Sequence, residues 1–464
     1  MSQNPRIDAL FAPWTRDDSP GMAIAVTRNG ELFHRNAYGM ADLDHGIANT
    51  PGTVFHCASL AKQFTAMSIL LLSDEIEDGQ RIINLDDDVH DYIDELKIPG
   101  ITIRHLLHHT SGIRDMLIQL TLAGWRWGDD AMAGHDILEL VSRMETLNFL
   151  PGTEHAYSNT NYFLAGEIVR RVSGMSLAEF ADRNIFQPLE MENTRFVDTY
   201  CQTVENRAHG YRSSNRVQGA PFEKRIPNYD LTGPTNLFTT VEDLLLWDAN
   251  FASGRVGGER GVAALQRPTD SSNGYGLGLY VLTDANGKPR KIYHNGRTIG
   301  YRAHLYRDHE NGISIALLCN VEFTNVEATD NIVFEVSRIV QELEPARPLL
   351  DAPAFDAPRG AMAAEALQEY CGTYYSREID TAYEVQMGAA GLMIKRRWHP
   401  EHTLTDFPGF PDDTFVARGF TEVLREIEVT FLRDGNNRIK ELQLKWSRRL
   451  RGARLMDFRF AKVK

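Results

Sequence analysis

In FHCASLAKQFTA, residues 55–66, a serine stands three positions before a lysine where an apolar run begins. If the run is helical, positions i and i+3 share a face, so the Lys62 amine comes within hydrogen-bonding reach of the Ser59 hydroxyl. That pair could form a nucleophile and its base. A lysine can accept the serine proton only if burial or a neighbouring cation lowers its pKa. A serine in the first helical turn also gains from the helix dipole and the free N–H groups there, which favour the alkoxide and the oxyanion it creates. The tetrapeptide alone is weak evidence, because so short a pattern recurs by chance. Its weight comes from two distant stretches. PGTEHAYSNTNYFLAGEIV sets Tyr157, Ser158 and Asn159 just before an apolar helix, and YHNGRTIGY sets His294, Gly296 and Arg297 at the end of a strand.

The elements that must position these residues are legible from periodicity. Residues 21–42 read as two strands joined at Asn29-Gly30, a dipeptide suited to the positive φ angles of a two-residue hairpin turn, after a short helix. Between residues 60 and 75, Phe64, Met67, Ile69, Leu70 and Leu71 fall at the spacing of an amphipathic helix, and the chain to about Ile185 is mostly helical by the same test. Strands return over residues 274–296 and again in GISIALLCNV, an apolar run of the kind covered on both faces; a helix over 331–343 follows. Four prolines in EPARPLLDAPAFDAPRG then predict a stiff linker. Beyond it come short alternating segments, with a hairpin at Asp434-Gly435, that predict a small antiparallel barrel. The expected organisation is a domain over 1–343, a linker over 344–360 and a barrel over 361–464.

Other residues invite chemistry with less reason. His105, His108 and His109 in RHLLHHT lack the glutamate of a zinc-protease helix and read as structural. Asp86, Asp87 and Asp88 read as a solvated turn and helix cap, without the spacing of a calcium loop. Cys57 reads as a small packing residue.

Composition limits the partners. A net charge of −14 over 464 residues disfavours nucleic acid and anionic membranes, and no apolar run is long enough to span a bilayer. The first residues lack a secretory pattern, and Cys57, Cys201, Cys319 and Cys371 have neither metal nor paired spacing. A cytoplasmic setting is expected, or a periplasmic one if a leader precedes the sequence.

The ordered elements Ser59-x-x-Lys62, Tyr157-x-Asn159 and His294-x-Gly296 resemble the serine β-lactamase and penicillin-binding protein superfamily, in its class C-like branch of D-aminopeptidases and esterases. ITIRHLLHHTSGI, LTGPTNLFTTVEDLLLW and YGLGLY agree, so the resemblance runs from about Arg6 to Leu343. YCGTYYS and the strand pairs after it look like the lipocalin-like barrel of some D-aminopeptidase relatives, which in similar enzymes can reach the active-site mouth. The implied fold is α+β, an antiparallel sheet flanked by helices with a helical subdomain, followed by the barrel.

The resemblance implies that Ser59 is acylated, that Lys62 is its proton partner, and that Tyr157 carries the proton to the leaving group and later activates water. Asn159 would bind the substrate amide, and the backbone N–H groups of Ser59 and Arg297 would form the oxyanion hole. Gly296 would keep the strand open to the substrate. His294 stands where β-lactamases and transpeptidases usually carry lysine for a substrate carboxylate, which argues against either activity, though Arg297 could supply a cation. The expected activity is a serine hydrolase acting on small amides or short peptides, of the D-aminopeptidase or D-amino-acid amidase kind, with no metal or organic cofactor. The alternatives are a class C-like carboxylesterase and a non-catalytic binding protein, and a homo-oligomer is open. An α/β-hydrolase is set aside because Ser59 lacks the flanking glycines of Gly-x-Ser-x-Gly.

Overall fold

The computed structural model describes residues 4–74, 76–77, 80–213, 221–322, 328–343, 364–388, 391–396, 399, 401–405, 413–418, 426–448 and 453–463. Asn29 and Gly30 take φ of 52° and 82°, so the expected turn joins strands β1 (Met22–Arg28) and β2 (Glu31–Tyr38). The chain returns to this hairpin more than 200 residues later with β3 (Tyr280–Thr283), β4 (Pro289–Thr298), β5 (Tyr301–Asp308) and β6 (Ile313–Cys319). All six form one antiparallel sheet in the order β3-β4-β5-β6-β1-β2.

Strand β6 is buried at every position, which explains its unbroken apolar run. Successive residues face opposite layers. Ile24, Val26, Ile315 and Leu317 pack with helices α1 (Pro5–Leu10) and α6 (Ala328–Val340), whereas Ala23, Ala25, Ala316 and Leu318 face the larger helical layer. The small alanines on the second face let helices approach the sheet closely.

At the centre of that layer lies α2 (Ala61–Asp74), which the periodicity read as amphipathic. It is instead buried almost all round, its polar Lys62, Gln63, Thr65 and Ser68 included. A wholly buried helix must satisfy its polar side chains within the protein. Trp247 of α5 (Val241–Ser253) accordingly donates its ring N–H to Gln63 Oε1 at 2.9 Å, and Thr65 Oγ donates to the Gly233 carbonyl at 2.8 Å. Two further helices matter for the site, α3 (Met116–Ala123) and α4 (Asn159–Ser173).

The expected proline-rich linker lies outside the described residues. After it, strands β7 (Gly372–Ser376), β8 (Thr381–Gly388), β9 (Gly391–Arg396), β10 (His402–Thr405), β11 (Thr414–Arg418), β12 (Glu426–Arg433), β13 (Ile439–Arg448) and β14 (Ala453–Lys462) close into a barrel. The turn between β12 and β13 is the Asp434-Gly435 hairpin read from the sequence. Closure leaves no unpaired strand edge. The α+β expectation, with a sheet flanked by helices and a separate antiparallel barrel, is met.

Candidate active site

Ser59 sits in a short 3-10 turn, Ala58–Leu60, that runs directly into α2. Ala58 ahead of it has φ 51°, a left-handed conformation costing about 1–2 kcal/mol for a residue with a Cβ. The Ala58 N–H donates to His56 Nδ1 at 3.0 Å, and burial pulls His56 down to about 3, so this acceptor stays neutral. The strain is thus held in place beside Ser59. Cys57 is buried, which pushes its thiol far up and fits its reading as a packing residue.

Lys62 Nζ lies 3.0 Å from Ser59 Oγ, 2.9 Å from Asn159 Oδ1 and 2.9 Å from the Pro234 carbonyl oxygen. Burial pulls the amine down to about 7, with Asp115 acting in the opposite direction. The geometry defines where the lone pair of the neutral amine points. Two of its acceptors are carbonyl oxygens, which can only receive N–H groups, so the two hydrogens go to them and the lone pair faces the Ser59 hydroxyl. Once protonated, the ammonium can donate to all three.

Tyr157 stands on the approach to α4, with its ring centroid 4.8 Å from Lys62 Nζ. Burial raises its phenol well above the ordinary value, a side-chain hydrogen bond with Ser59 opposing, so Tyr157 enters any reaction as a phenol. His109 packs against it at 4.2 Å between ring centroids. His109 Nδ1 accepts from the Ser158 N–H at 3.2 Å, and Ala156 N–H donates to the His109 carbonyl, so the segment before Tyr157 is pinned to the residues that follow HLLH.

Asn159, expected on the substrate amide, also bonds within the site. Its carbonyl accepts from Lys62, and its Nδ2 donates to Asp115 Oδ2 at 2.8 Å. His294 is bonded internally as well. It is buried at 2 % exposure, with Nε2 3.0 Å from the Tyr275 hydroxyl and Nδ1 2.6 Å from the Asn295 carbonyl. A carbonyl can only accept, so Nδ1 carries the hydrogen and Nε2 receives the tyrosine O–H. Burial holds the ring near 3, and it is neutral at any working pH. His294 therefore presents no cation to a carboxylate.

Gly296 has a packing reason beside the one its sequence context suggested. A Cβ there would lie 2.3 Å from the Cys57 carbonyl oxygen and 3.2 Å from Ala58 Cβ. Glycine lets β4 press against the turn that carries Ser59. Strand β3 pairs with β4 only up to Tyr293, so His294 to Thr298 have β5 on one side and, among the described residues, an open edge on the other. That open edge starts beside Ser59, and Arg297 on it is exposed.

The other chemical-looking residues have structural places. His105 caps its own helix with Thr102, and His108 Nδ1 lies 3.1 Å from the Tyr275 carbonyl. Asp86 pairs with Arg104 at 2.7 Å, and Asp88 caps the short helix at His90. Two contributors to the site were not singled out from the sequence, Asp115 and the Pro234 carbonyl. Asp115 sits in SGIRD just after the HLLHHT stretch, where its Ser/Asp-type capping position ahead of an apolar helix was a readable signal. A backbone carbonyl leaves no residue-type signal.

The family model described as Beta-lactamase matches residues 7–337, more than half of the chain. The D-aminopeptidase of Gluconobacter oxydans is 27% identical over 402 residues, covering 85% of this chain and 70% of that protein. A penicillin-binding protein of Bacillus subtilis is 27% identical over 343 residues, 69% of this chain and 73% of that one. Among solved structures, the octameric penicillin-binding protein homologue from Pyrococcus abyssi superposes with a TM-score of 0.63 at 20% identity, covering 99% of both chains. Barrel included, the likeness in fold spans the whole molecule, and the chain belongs to the β-lactamase family.

Proposed function

We propose that this protein is a serine hydrolase that cleaves small amides through an acyl-enzyme on Ser59. The observation that carries the reading is the Lys62 amine, buried, held near 7, and directed at the Ser59 hydroxyl by two carbonyl acceptors. As Ser59 Oγ attacks the substrate carbonyl carbon, its proton passes to Lys62. The oxyanion that forms is received by the backbone N–H groups of Ser59 and Arg297, the second on the open edge of β4. Tyr157 then gives its phenolic proton to the departing amine and regains one from the Lys62 ammonium. The products of this half are the free amine and an ester on Ser59. Water attacks that ester with Tyr157 and Lys62 returning the proton path, releasing the carboxylic acid and restoring the serine.

The substrate class is inferred from the state of His294 and from kinship. A neutral, internally bonded His294 offers nothing to a carboxylate at that subsite. The relative in Gluconobacter oxydans is a D-aminopeptidase, and we extend that class to this chain: amides or short peptides with an N-terminal D-residue. Asn159 contributes to the substrate only through the second N–H of its amide, its main work being to hold Lys62. The two domains meet within one chain over 1–343 and 361–464, and the octameric relative makes homo-oligomerisation the state to measure.

A panel of chromogenic esters and of L- and D-aminoacyl amides tests the reading, with intact-mass analysis after quenching. D-aminoacyl amide turnover with an acyl adduct on the Ser59 peptide is the expected result. Turnover of esters alone would favour a carboxylesterase, and no turnover at all would leave a binding protein.

A further inference from the structure

Helix α3 belongs to the hydrolase domain by sequence but is held by the barrel. Its Ile118 and Leu122 lie in the barrel's hydrophobic cluster with Tyr383, Val385 and Ile394. A helix ends with carbonyls that have no intrahelical partner of the usual kind. Here four consecutive ones receive barrel side chains. The Arg396 guanidinium donates to Thr121 O, the Tyr383 hydroxyl to Leu122 O at 2.8 Å, Thr381 Oγ1 to Ala123 O at 3.1 Å, and His399 Nε2 to Gly124 O at 2.8 Å. A cationic donor at this end also suits the helix dipole.

The other end is gripped as well. Glu378 of the barrel pairs with Arg114 at 3.2 Å, the side chains being 19 % and 6 % exposed, and accepts from Gln119 Nε2 at 3.2 Å. Next to Arg114 stands Asp115, the N-cap of α3. Its Oδ1 accepts the Leu117 and Ile118 N–H groups, while its Oδ2 accepts Asn159 N–H at 2.5 Å and Asn159 Nδ2 at 2.8 Å. Thr160 locks the same junction, donating to the Arg114 carbonyl at 2.7 Å and accepting from Met116 N–H at 2.8 Å. A carboxylate oxygen can only accept, so Asp115 forces the NH₂ end of Asn159 toward itself and the carbonyl end toward Lys62.

We propose that the C-terminal barrel is a clamp on the proton-transfer centre: it holds α3 at both ends and so fixes Asp115, the positioning residue that turns Asn159 toward Lys62. The inference rests on the acyl-enzyme reading above and assigns the barrel a role within it. The titratable groups around Lys62 are Asp115, Tyr157, Tyr162, His109 and His294. Burial disfavours the charged forms of the tyrosines and histidines, and it raises the Asp115 carboxyl as well, but there the Asn159 and Leu117 N–H donors and Lys62 act in the opposite direction and favour the carboxylate.

Two variants of the full chain test this, Asp115→Asn and the barrel-side double variant Glu378→Gln/Tyr383→Phe. For each, kcat and KM on an amide are measured between pH 5 and 9, with hydrogen exchange followed over residues 116–124. Asp115→Asn is expected to lower kcat roughly 10-fold or more at near-constant KM, the scale of one lost hydrogen bond to a charged group. It should also move the rising limb of the profile to lower pH, since the carboxylate favours the protonated amine. The double variant should speed exchange over α3 and lower kcat several-fold without raising KM. Faster exchange with wild-type kcat would overturn the clamp, as would unchanged exchange or an Asp115→Asn limb that does not move. Failure of wild-type Ser59 to form any acyl adduct would instead remove the acyl-enzyme reading itself.

Discussion

Two cations, one in each domain, show how differently this chain treats positive charge: Arg433 is partly exposed, whereas Lys62 is fully buried. Arg433 in the barrel lies between two carboxylates, with Nε and Nη2 on Asp413 at 2.9 and 2.8 Å and Nη1 and Nη2 on Glu369 at 2.8 and 2.7 Å. Its neighbours raise its pKa further, and it ties the end of β12 to the segment before β7. Among the described residues, no carboxylate forms an ion pair with Lys62. Neutral oxygens surround it, and burial brings its proton within reach of neutral pH. A cation with full counter-charge is a fastener, whereas one supplied only with neutral acceptors can give up its proton and act as a base.

The widest separation between the two comes from removing them. Lys62→Ala is expected to slow Ser59 acylation by about 10²–10⁴-fold, the usual worth of a general base, measured with an active ester in a stopped-flow instrument. Arg433→Ala should leave acylation unchanged and lower barrel stability by on the order of 1 kcal/mol, because its network is partly solvent-screened. An equal loss of activity in both would break the comparison.

Gly296→Ala comes next. Its Cβ would meet the Cys57 carbonyl oxygen at 2.3 Å, so β4 must retreat from the Ser59 turn. The two oxyanion donors then separate, and kcat is expected to drop by roughly 10²-fold, as for loss of one such donor. Wild-type turnover by this variant would place the oxyanion hole elsewhere.

Tyr157→Phe sharpens the reading of the leaving group. An amine must be protonated as it leaves, but a phenolate need not be, so the variant should slow amide hydrolysis by about 10²-fold and aryl-ester hydrolysis by much less. Equal losses would argue that Tyr157 acts in acylation in some other way.

The smallest effect is on stability. A lysine whose folded pKa is depressed to about 7 from an ordinary value of 10.5 binds its proton less readily when folded. Its destabilisation is therefore complete below pH 7 and fades as pH rises toward 10.5. Lys62→Met should melt higher than the wild type near pH 6, and the difference should shrink on going to pH 9.

Ser59 and Lys62 drew attention through a local rule, the shared face at i and i+3, and Tyr157 through the joint motif pattern that resembles the family. The hairpin at Asn29-Gly30 and the doubly covered β6 were legible for the same kind of reason, being governed by turn stereochemistry and alternating burial. Asp115 was readable as a helix cap but was not legible as part of the site, because its partner Asn159 lies 44 residues away and no short-range pattern joins them. Neither was the clamp, since Ile118 and Leu122 read as ordinary core residues and nothing local says whose core they enter. His294 and Gly296 were found as positions, but their reasons were tertiary: a hydrogen bond to Tyr275 and the close approach of Cys57.

The rate of Ser59 labelling by a fluorophosphonate, followed by mass spectrometry from pH 5 to 9, reads out whether Lys62 is the base for Ser59. A single adduct on Ser59 is expected, its formation rising with pH around a midpoint near 7 as Lys62 loses its proton. No adduct on Ser59, or a labelling rate that is flat across this range, would contradict it.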